Sequence, residues 1–282
     1  MAENTVHDIA ADLELLRSNA VAAGIIAAGY FRRELKTWTK DNASPVTEAD
    51  FLVDKFLMHS LLGARPDYGW LSEESEDNPA RLEAERVFIV DPIDGTRAFI
   101  RGDDCWSISL AVVENGHPIA GVVYAPARDE LYHASKGGGA FLNGQKLTPD
   151  LTLNRPAIIP APGAVHTELK ADGLDYVRGD HYPSLAYRLV QVATGRVDAA
   201  VARRGAQDWD IAGAAIILSE CGINFEDVCC GTPLYNRVDT RHSALAAMAD
   251  ETLKPLVHGA LLRVYGCPDT CTDELNLEQR SQ

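Results

Sequence analysis

A hydrophobic run that ends in two carboxylates constrains this chain more than any other feature. The run VFIV at residues 87–90 is typical of a buried strand, and it leads directly into DPIDGT at residues 91–96. Asp91 and Asp94 therefore follow one strand within a single proline-containing turn, close enough to bind one cation or two adjacent cations. Packing alone gives no reason to place two acids directly after a buried strand. The sequence therefore indicates a metal site at the end of a sheet.

Two further segments combine an apolar stretch with acids. GWLSEES at residues 69–75 supplies Glu73 and its neighbour, and DWD at residues 208–210 stands just before the apolar run 211–218. All these donors are hard carboxylate oxygens without histidine or cysteine among them, which favours Mg²⁺, with Mn²⁺ as a substitute, over zinc. Each acid alone could cap a helix or face solvent. The full set is better explained by a bound cation, because clustered carboxylates repel one another.

These segments resemble the three signature segments of the inositol monophosphatase family, which consists of Mg²⁺-dependent, lithium-inhibited phosphomonoesterases. The similar stretches are WLSEES at 70–75, DPIDGT at 91–96 and WDIAGA at 209–214, and their order and spacing agree over about residues 40–225. The resemblance implies an α/β fold in which layers of paired helices alternate with two β-sheets. It also implies hydrolysis of a small phosphorylated metabolite by water that two or three metal ions activate.

The resemblance assigns a metal-binding role to five groups. Glu73, Asp91, Asp94, Asp210 and the carbonyl of Ile93 would hold two or three Mg²⁺ ions. Asp91 would bridge the first two ions. Two such ions can stabilise both the attacking and the leaving oxygen of a phosphoryl displacement.

The resemblance assigns catalytic and substrate-binding roles to further residues. Thr96, oriented by Asp50, would help to take a proton from the attacking water. Glu74 would orient the metal site without binding an ion. Gly95 and Thr96 would bind the substrate phosphate through the N–H groups of a short helix over residues 95–101.

The substrate stays open at this point. The resemblance allows inositol 1-phosphate, a 3′(2′),5′-bisphosphate nucleotide, histidinol phosphate or fructose 1,6-bisphosphate. Inositol-preferring members carry a glutamate seven residues before the last metal aspartate, whereas Arg203, followed by Arg204, stands there in this chain. Two arginines could bind a second phosphate, or they could form a solvated pair that balances nearby acids. Segments 44–47 and 121–126 resemble the bisphosphate nucleotidase branch, and segment 139–144 resembles the inositol phosphatase branch.

Two other classes of function were weighed against a phosphatase. A catalytically dispensable binding or regulatory partner is disfavoured because all the acids of the signature segments are intact. A Mg²⁺-dependent nuclease or phosphodiesterase is disfavoured by the net charge of −15, from 26 basic and 41 acidic residues. Proteins that bind nucleic-acid polymers usually present a basic surface. We therefore expect a small phosphorylated metabolite as partner, no nucleic-acid polymer, and a homodimer by resemblance only.

The sequence also predicts a compartment and a redox state. The N-terminal residues are polar and acidic, unlike a signal peptide, and the apolar stretch 20–30 is too short to span a bilayer. We predict a cytoplasmic protein without membrane attachment, whose six cysteines are free thiols. Cys267 and Cys271 could instead form a redox or metal-binding pair, although a poorly ordered tail is the favoured interpretation. Cys229 and Cys230 are expected in a turn.

Hydrophobic periodicity predicts two helices near the N-terminus. The first, over residues 6–36, is amphipathic. The second, over residues 48–62, has Thr47 as its N-cap. Asp50 would lie in its first turn, where a carboxylate is also favoured by the helix dipole, so capping and catalysis both stay open for it. The apolar stripe of this second helix is predicted to be Phe51, Leu52, Phe56 and Leu61.

The remainder reads as an antiparallel meander followed by alternating helices and strands. The Asn115-Gly116 pair predicts a hairpin within the meander. The predicted strands cover 106–113, 119–124, 130–134, 140–142, 197–202 and 222–225, and the predicted helices cover 185–193 and 208–221. We predict one phosphatase domain over residues 1–282, in two subdomains. Residues 1–150 would contain the N-terminal helices and the antiparallel sheet, residues 151–282 would form an α/β unit with a mixed sheet, and the active site would lie between them.

Overall fold

The structure, a computed structural model, describes residues 8–40 and 44–267. The helices are α1 Ile9–Ala28, α2 Glu48–Ala64, α3 Thr96–Arg101, α4 Gly163–Ala171, α5 Leu185–Ala193, α6 Asp208–Glu220 and α7 Lys254–Tyr265. The strands are β1 Thr37–Thr39, β2 Pro45–Thr47, β3 Gly69–Ser72, β4 Arg86–Asp94, β5 Ser107–Glu114, β6 His117–Ala125, β7 Glu130–Ser135, β8 Gly139–Leu142, β9 Gln145–Lys146, β10 Ala157–Ile159, β11 Tyr176–Arg178, β12 Ala199–Ala202, β13 Asn224–Asp227 and β14 Leu245–Met248.

A seven-stranded sheet in the order β3-β4-β5-β6-β7-β8-β9 forms the centre of the first half. Only β3 and β4 are parallel, and all other neighbours in this sheet are antiparallel. Alternate residues of β4 enter different cores: Phe88 and Val90 pack with α1 and α2, whereas Val87 and Ile89 pack with α5 and α6. The period of two in a strand explains this division, and burial on both faces explains the unbroken apolar run.

A three-stranded antiparallel sheet in the order β12-β14-β13 forms the next β layer. Ala200 and Ala247 face the core shared with α5 and α6, while Val201 and Met248 face a third core with α4 and α7. The molecule is therefore layered as α1/α2, seven-stranded sheet, α5/α6, three-stranded sheet and α4/α7. The predicted α/β fold with alternating layers of paired helices and sheets is confirmed. Two smaller two-stranded pairs, β1-β2 and β10-β11, accompany these layers.

Helix α6 lies directly on the backbone of the large sheet. A Cβ atom on Gly213 would be 2.9 Å from the carbonyl oxygen of Val122 and 3.0 Å from that of Leu110. A Cβ atom on Gly121 would be 2.7 Å from the carbonyl oxygen of Gly213. Neither glycine has room for a side chain, so backbone contacts set the height of α6 above β5 and β6.

Most of the predicted elements are present close to their predicted bounds. The meander strands, α5 and α6 agree within a few residues, and Asn115 and Gly116 both adopt positive φ, as a two-residue hairpin turn requires. The first helix is shorter than predicted. It begins after Asp8, whose side chain accepts a hydrogen bond from the N–H of Ala10, and it ends at Ala28, ahead of a turn in which Arg32 has φ 59°.

The buried face of α2 differs from the predicted stripe. Thr47 caps the helix as expected, but Ala49, Val53, Leu57 and Leu61 form the buried row. Phe51 and Leu52 are 44% and 43% exposed. Leu61 belongs to both sets and Phe56 packs partly buried against the same core, so the prediction was wrong for Phe51 and Leu52.

The cysteines depart from the prediction of free thiols. Cys229 and Cys267 form a disulfide that links the turn after β13 to the end of α7, and Cys230 is disulfide-bonded as well. Cys105 and Cys221 carry free thiols. Cys229 and Cys230 lie in the predicted turn. The disulfide of Cys267 with Cys229 excludes the redox or metal-binding pair of Cys267 and Cys271 that the sequence left open. The predicted tail from residue 268 onward lies outside the described residues.

Candidate active site

Three aspartates converge where β4 ends and α6 begins. Carboxylate oxygens of Asp91, Asp94 and Asp210 lie within 4.8 Å of one another. Strand β4 continues through this segment, and its pairing with β5 shifts register between Asp91 and Asp94. Such an irregularity re-aims side chains at the edge of a site. The backbone thereby directs both acids toward Asp210, in the first turn of α6.

Hydrogen bonds from the protein fix the orientation of each aspartate. The Oδ1 atom of Asp91 accepts a hydrogen bond from the N–H of Ile93 at 3.0 Å. The Oδ2 atom of Asp94 accepts from the hydroxyl of Ser184 at 2.5 Å and from the N–H of Ala186 at 2.7 Å. Asp210 accepts from the backbone N–H of Gln207 at 2.7 Å. Each carboxylate thus has one oxygen held and can direct the other toward its neighbours.

Burial makes the negative charges of this cluster unfavourable without a cation. Burial, followed by the charges of Glu73, Asp94 and Asp210, raises the pKa of Asp91 well above its ordinary value. Burial raises the pKa of Asp94 to about 6, against the opposing hydrogen bond from Ser184. Burial and the charge of Asp94 raise the pKa of Asp210 as well. A hard divalent cation fits this donor set, because it would favour the ionised form of every carboxyl group.

The two glutamates of the β3 segment lie at one side of this cluster. Glu73 lines the same cleft as the three aspartates, and its Oε1 atom is 3.0 Å from the Nζ atom of Lys40. The Glu74 side chain is only 2% exposed and lies 2.7 Å from the same ammonium group. Burial raises the pKa of Glu74 to about 7, although the hydrogen bond from Lys40 opposes that shift. This placement is compatible with a donor role for Glu73 and an orienting role for Glu74.

Asp50 connects the cap of α2 to the hydroxyl of Thr96. Its Oδ2 atom accepts hydrogen bonds from the N–H of Thr47 at 2.8 Å and from the Thr47 hydroxyl at 2.6 Å. Its Oδ1 atom lies 3.4 Å from Oγ1 of Thr96, which is also 3.1 Å from the carbonyl oxygen of Ile93. Burial raises the pKa of Asp50 to about 6. The two roles considered for Asp50 are therefore geometrically compatible, one for each carboxylate oxygen.

Gly95 and Thr96 form the turn between β4 and α3. Gly95 has φ 91°, a conformation that favours glycine, and a Cβ atom there would be 3.2 Å from the backbone nitrogen of Ser184. Both residues line the cleft, next to the three aspartates. The backbone of this turn is thus open to a ligand at the cluster.

The cleft has a volume of about 850 Å³ and is lined by the acids and by a group of basic residues, here called the basic wall. Arg203 and Arg204, which follow β12, line it as the sequence predicts. Three further residues complete this wall: Arg188 of α5, His181 and Arg101. The last residue of α7, Tyr265, lies at the same place. A cleft of this size, lined by both acids and cations, suits a small polar metabolite.

Comparison with known proteins agrees with this arrangement. The model of the inositol monophosphatase family matches residues 10–263. The chain belongs to the inositol monophosphatase family. It is 33% identical over 224 residues to a histidinol-phosphatase of Chlorobaculum parvum, covering 75% of this chain and 83% of the relative. It is 34% identical over 200 residues to an inositol-1-monophosphatase of Rhizobium meliloti, covering 67% of this chain and 74% of the relative.

A solved structure shows the same architecture. The extragenic suppressor protein suhB of Bartonella henselae superposes with a TM-score of 0.77 at 28% identity, covering 89% of this chain and 98% of that protein. Family membership and the relatives indicate a phosphatase. The names of the relatives do not agree on one substrate.

The structure brings residues to the site that the sequence analysis missed, and it excludes one candidate metal donor. Asp208 does not face the cluster: it is fully buried, accepts a hydrogen bond from the N–H of Asn236 at 2.7 Å and lies 2.7 Å from Nε2 of His242. Ser184, the N-cap of α5, was missed because its contact with Asp94 spans distant parts of the chain. Arg188 did give a signal, as the one charged residue of an otherwise uncharged helix sequence, LAYRLVQVA.

The structure also answers the membrane question for the part of the chain it describes. None of the helices there combines the length and the hydropathy needed to span a bilayer.

Proposed function

We propose that this protein is a Mg²⁺-dependent phosphomonoesterase that hydrolyses a small phosphorylated metabolite, an inositol phosphate or a 3′(2′),5′-bisphosphate nucleotide. The observation that carries the proposal is the convergence of Asp91, Asp94 and Asp210 within 4.8 Å, in a cleft that also contains Thr96. Two or three Mg²⁺ ions, or Mn²⁺ in their place, would be held by these aspartates, Glu73 and the Ile93 carbonyl. When bound, the ions supply positive charge for the attacking and leaving oxygens.

The residues around the cluster support proton transfer from an attacking water. The hydroxyl of Thr96 can accept a hydrogen bond from that water while it donates its own hydrogen toward Oδ1 of Asp50, 3.4 Å away. A carboxyl group with a pKa of about 6 is ionised at neutral pH and is still basic enough to receive a proton. Asp50 is thus the terminal proton acceptor in this proposal, and Thr96 is the group that contacts the water.

The substrate phosphate would bind at the turn formed by Gly95 and Thr96. The open backbone of this turn provides N–H donors without an intervening side chain, and such donors suit an anion. Glu74 would orient the metal site through its contact with Lys40. The remaining volume of the cleft would hold the alcohol part of the ester.

A phosphate-release assay tests the proposal. The panel contains inositol 1-phosphate, adenosine 3′,5′-bisphosphate, histidinol phosphate and fructose 1,6-bisphosphate, each with Mg²⁺ and with EDTA. We expect Mg²⁺-dependent turnover of at least one ester and its loss in Asp94→Asn, with the far-ultraviolet circular dichroism spectrum unchanged. Near-normal turnover by Asp94→Asn would overturn the assignment of the metal site.

One alternative is a phosphatase that acts on histidinol phosphate or fructose 1,6-bisphosphate, which the same panel would identify. The other alternative proposal is a catalytically dispensable binding or regulatory partner. No Mg²⁺-dependent release from any ester, combined with Mg²⁺ binding in a calorimetric titration, would favour this alternative. Formation of a homodimer and inhibition by lithium belong to the main proposal on the family resemblance alone. The cytoplasmic location stays a prediction from the sequence.

A further inference from the structure

The basic wall of the cleft contains cations that lack acidic partners. Arg188 donates one hydrogen bond from Nη1 to the carbonyl oxygen of Tyr182 at 3.0 Å. Its Nε atom is shielded from solvent and has no hydrogen-bond partner among the described residues. Neither Arg188 nor Arg203 forms an ion pair within the part of the chain that the structure describes. An arginine offers five N–H donors, so most of the hydrogen-bonding capacity of the shielded Arg188 has no protein partner among the described residues. Arg203 is exposed, so water can satisfy its donors until a ligand binds.

Other shielded arginines of this protein are paired. Arg65 and Arg86 both contact Asp12, each at 2.9 Å, and Arg81 contacts Asp77 at 2.7 Å. The chain has 41 acidic residues against 26 basic ones, so acidic partners are abundant. Leaving a shielded cation unpaired is costly, and its presence in a binding cleft indicates an anion that arrives with the ligand.

The cations of the wall lie near one another. The charges of Arg188, Arg101 and Arg203 each disfavour protonation of His181 and lower its pKa, after the larger effect of burial. The charge of Arg203 likewise lowers the pKa of Arg188, again after burial. Burial raises the pKa of Tyr265, and the charges of Arg203 and Arg188 oppose that shift. These residues line one cleft together with the three aspartates, and the mutual effects on their pKa values agree with that proximity.

We propose that Arg188 and Arg203 form a subsite for a second anionic group of the substrate. The preferred substrate is then a phosphate monoester that carries a further phosphate or carboxylate group. One group is cleaved at the aspartate cluster, and the other is held by the two guanidinium groups. This inference rests on the phosphatase function proposed above and narrows its substrate class.

The subsite has a simpler rival explanation. Arg188 also feels the charges of Asp94 and Asp210, so it could serve only to balance the acids or to contact the phosphate that is cleaved. Under that explanation, its removal would impair all substrates equally. Under the subsite proposal, its removal impairs substrates with a second anion far more than substrates without one. Matched substrates separate the two.

The experiment compares two matched pairs of esters in the presence of Mg²⁺. Adenosine 3′,5′-bisphosphate is compared with adenosine 3′-monophosphate, and 3-phosphoglycerate with glycerol 3-phosphate. The first pair differs by a phosphate and the second by a carboxylate. We expect wild-type kcat/KM to be at least tenfold higher for the doubly anionic member of one pair, and that pair identifies the second group.

The variants are Arg188→Gln and Arg203→Gln, with Arg178→Gln as the control. Arg178 is exposed on β11 and does not line the cleft. Its replacement by glutamine therefore leaves the cleft unchanged while it alters the net charge by the same amount as each wall variant. Each wall variant should reduce the preference for the doubly anionic ester by about 10- to 100-fold, the scale of a charged hydrogen bond, mainly through KM. The control should keep the wild-type preference. Equal loss on both members of a pair, or no wild-type preference in either pair, would overturn the subsite.

A binding measurement keeps the inference testable if turnover is absent. Calorimetric titration with adenosine 3′,5′-bisphosphate and with adenosine 3′-monophosphate requires no hydrolysis. Tighter binding of the bisphosphate that both wall variants abolish would support the subsite even where the phosphatase proposal fails. Equal binding of the two nucleotides would overturn the subsite while leaving any observed phosphatase activity in place.

Discussion

Replacing Asp94 by asparagine should abolish activity and yet stabilise the metal-free protein. Asp94 is 6% exposed, and its pKa is raised from 3.8 to about 6, chiefly by burial. That difference corresponds to about 3 kcal/mol of unfavourable free energy for the ionised carboxylate at neutral pH. Asparagine has no charge, and its amide oxygen can accept both hydrogen bonds that Oδ2 of Asp94 accepts, from Ser184 and Ala186. These bonds then lack the help of a charge, at a loss of about 1 kcal/mol. We therefore expect Asp94→Asn to be about 2 kcal/mol more stable without metal.

The sign of the pH dependence follows from the direction of the shift. Because the folded-state pKa of Asp94 is raised, the folded protein holds this proton more tightly than the unfolded chain does. Wild-type stability is therefore lost as pH rises from about 4 to about 6, and the full penalty is present above about 6. Asp94→Asn lacks this titration. It should be slightly less stable than wild type at pH 4.0, where mainly the loss of hydrogen bonding remains, and should reach its full advantage at pH 7.5.

Urea unfolding in EDTA at pH 4.0 and pH 7.5 measures these differences. Asp198→Asn is a contrasting control, because that buried carboxylate pairs with Arg155 at 2.6 Å and accepts the N–H of Ile158 at 2.7 Å. Its replacement should destabilise the protein by about 1–3 kcal/mol. An Asp94→Asn protein no more stable than wild type in EDTA at pH 7.5, or an advantage independent of pH, would refute the reasoning.

Three further outcomes are expected. Asp50→Asn removes the carboxylate that would accept the proton, so kcat should fall at least about tenfold. It keeps an acceptor for the Thr47 cap, so the free energy of unfolding should change little, whereas Asp50→Ala should also lose about 1–2 kcal/mol of that free energy. Wild-type kcat in Asp50→Asn, from steady-state phosphate release, would exclude proton transfer through this residue. Cys229→Ser opens a disulfide of sequence separation 38 and should cost about 2–4 kcal/mol in non-reducing urea melts, while the free-thiol control Cys221→Ser should cost little. Equal stability of Cys229→Ser and wild type would show that the disulfide does not form in solution. Mg²⁺ at 100 times its dissociation constant should raise the unfolding free energy of wild type by about 3 kcal/mol, and a similar increase in Asp94→Asn would place the ion elsewhere.

Most strands and helices and the acids of the aspartate cluster were accessible from sequence because their signals are local, whereas the layered arrangement was expected from the family resemblance. A strand that is buried on both faces is apolar throughout, and the acids of β4 follow such a strand directly. Asp210 gave a similar local signal, because it stands directly before the apolar run that forms the rest of α6. Each of these signals depends on neighbouring residues, and the fold then brings the segments together.

Signals that depend on distant packing were not accessible. Helix α2 has apolar residues on more than one side, so periodicity alone did not choose the row of Val53 and Leu57 over Phe51 and Leu52. Phe51 instead lies 5.8 Å from the ring of Trp38, between ring centroids, a contact that the pairing of β1 and β2 creates. The disulfide was missed for a similar reason, because composition and compartment say nothing about which cysteines the fold brings together.

The contact between α6 and the large sheet gives the aspartate cluster an unusual mechanical property. Gly213 and Gly121 bring the backbone of α6 against the backbone of β5 and β6, and only the side chains of neighbours such as Ser109 and Ile216 fill the space beside this contact. A larger residue at either glycine would meet backbone atoms that rotamer changes cannot move, so α6 would have to shift and would carry Asp210 away from Asp91 and Asp94. The affinity for Mg²⁺ should therefore depend on how closely α6 packs against the sheet. Lesions deep in this interface should weaken Mg²⁺ binding before they unfold the protein.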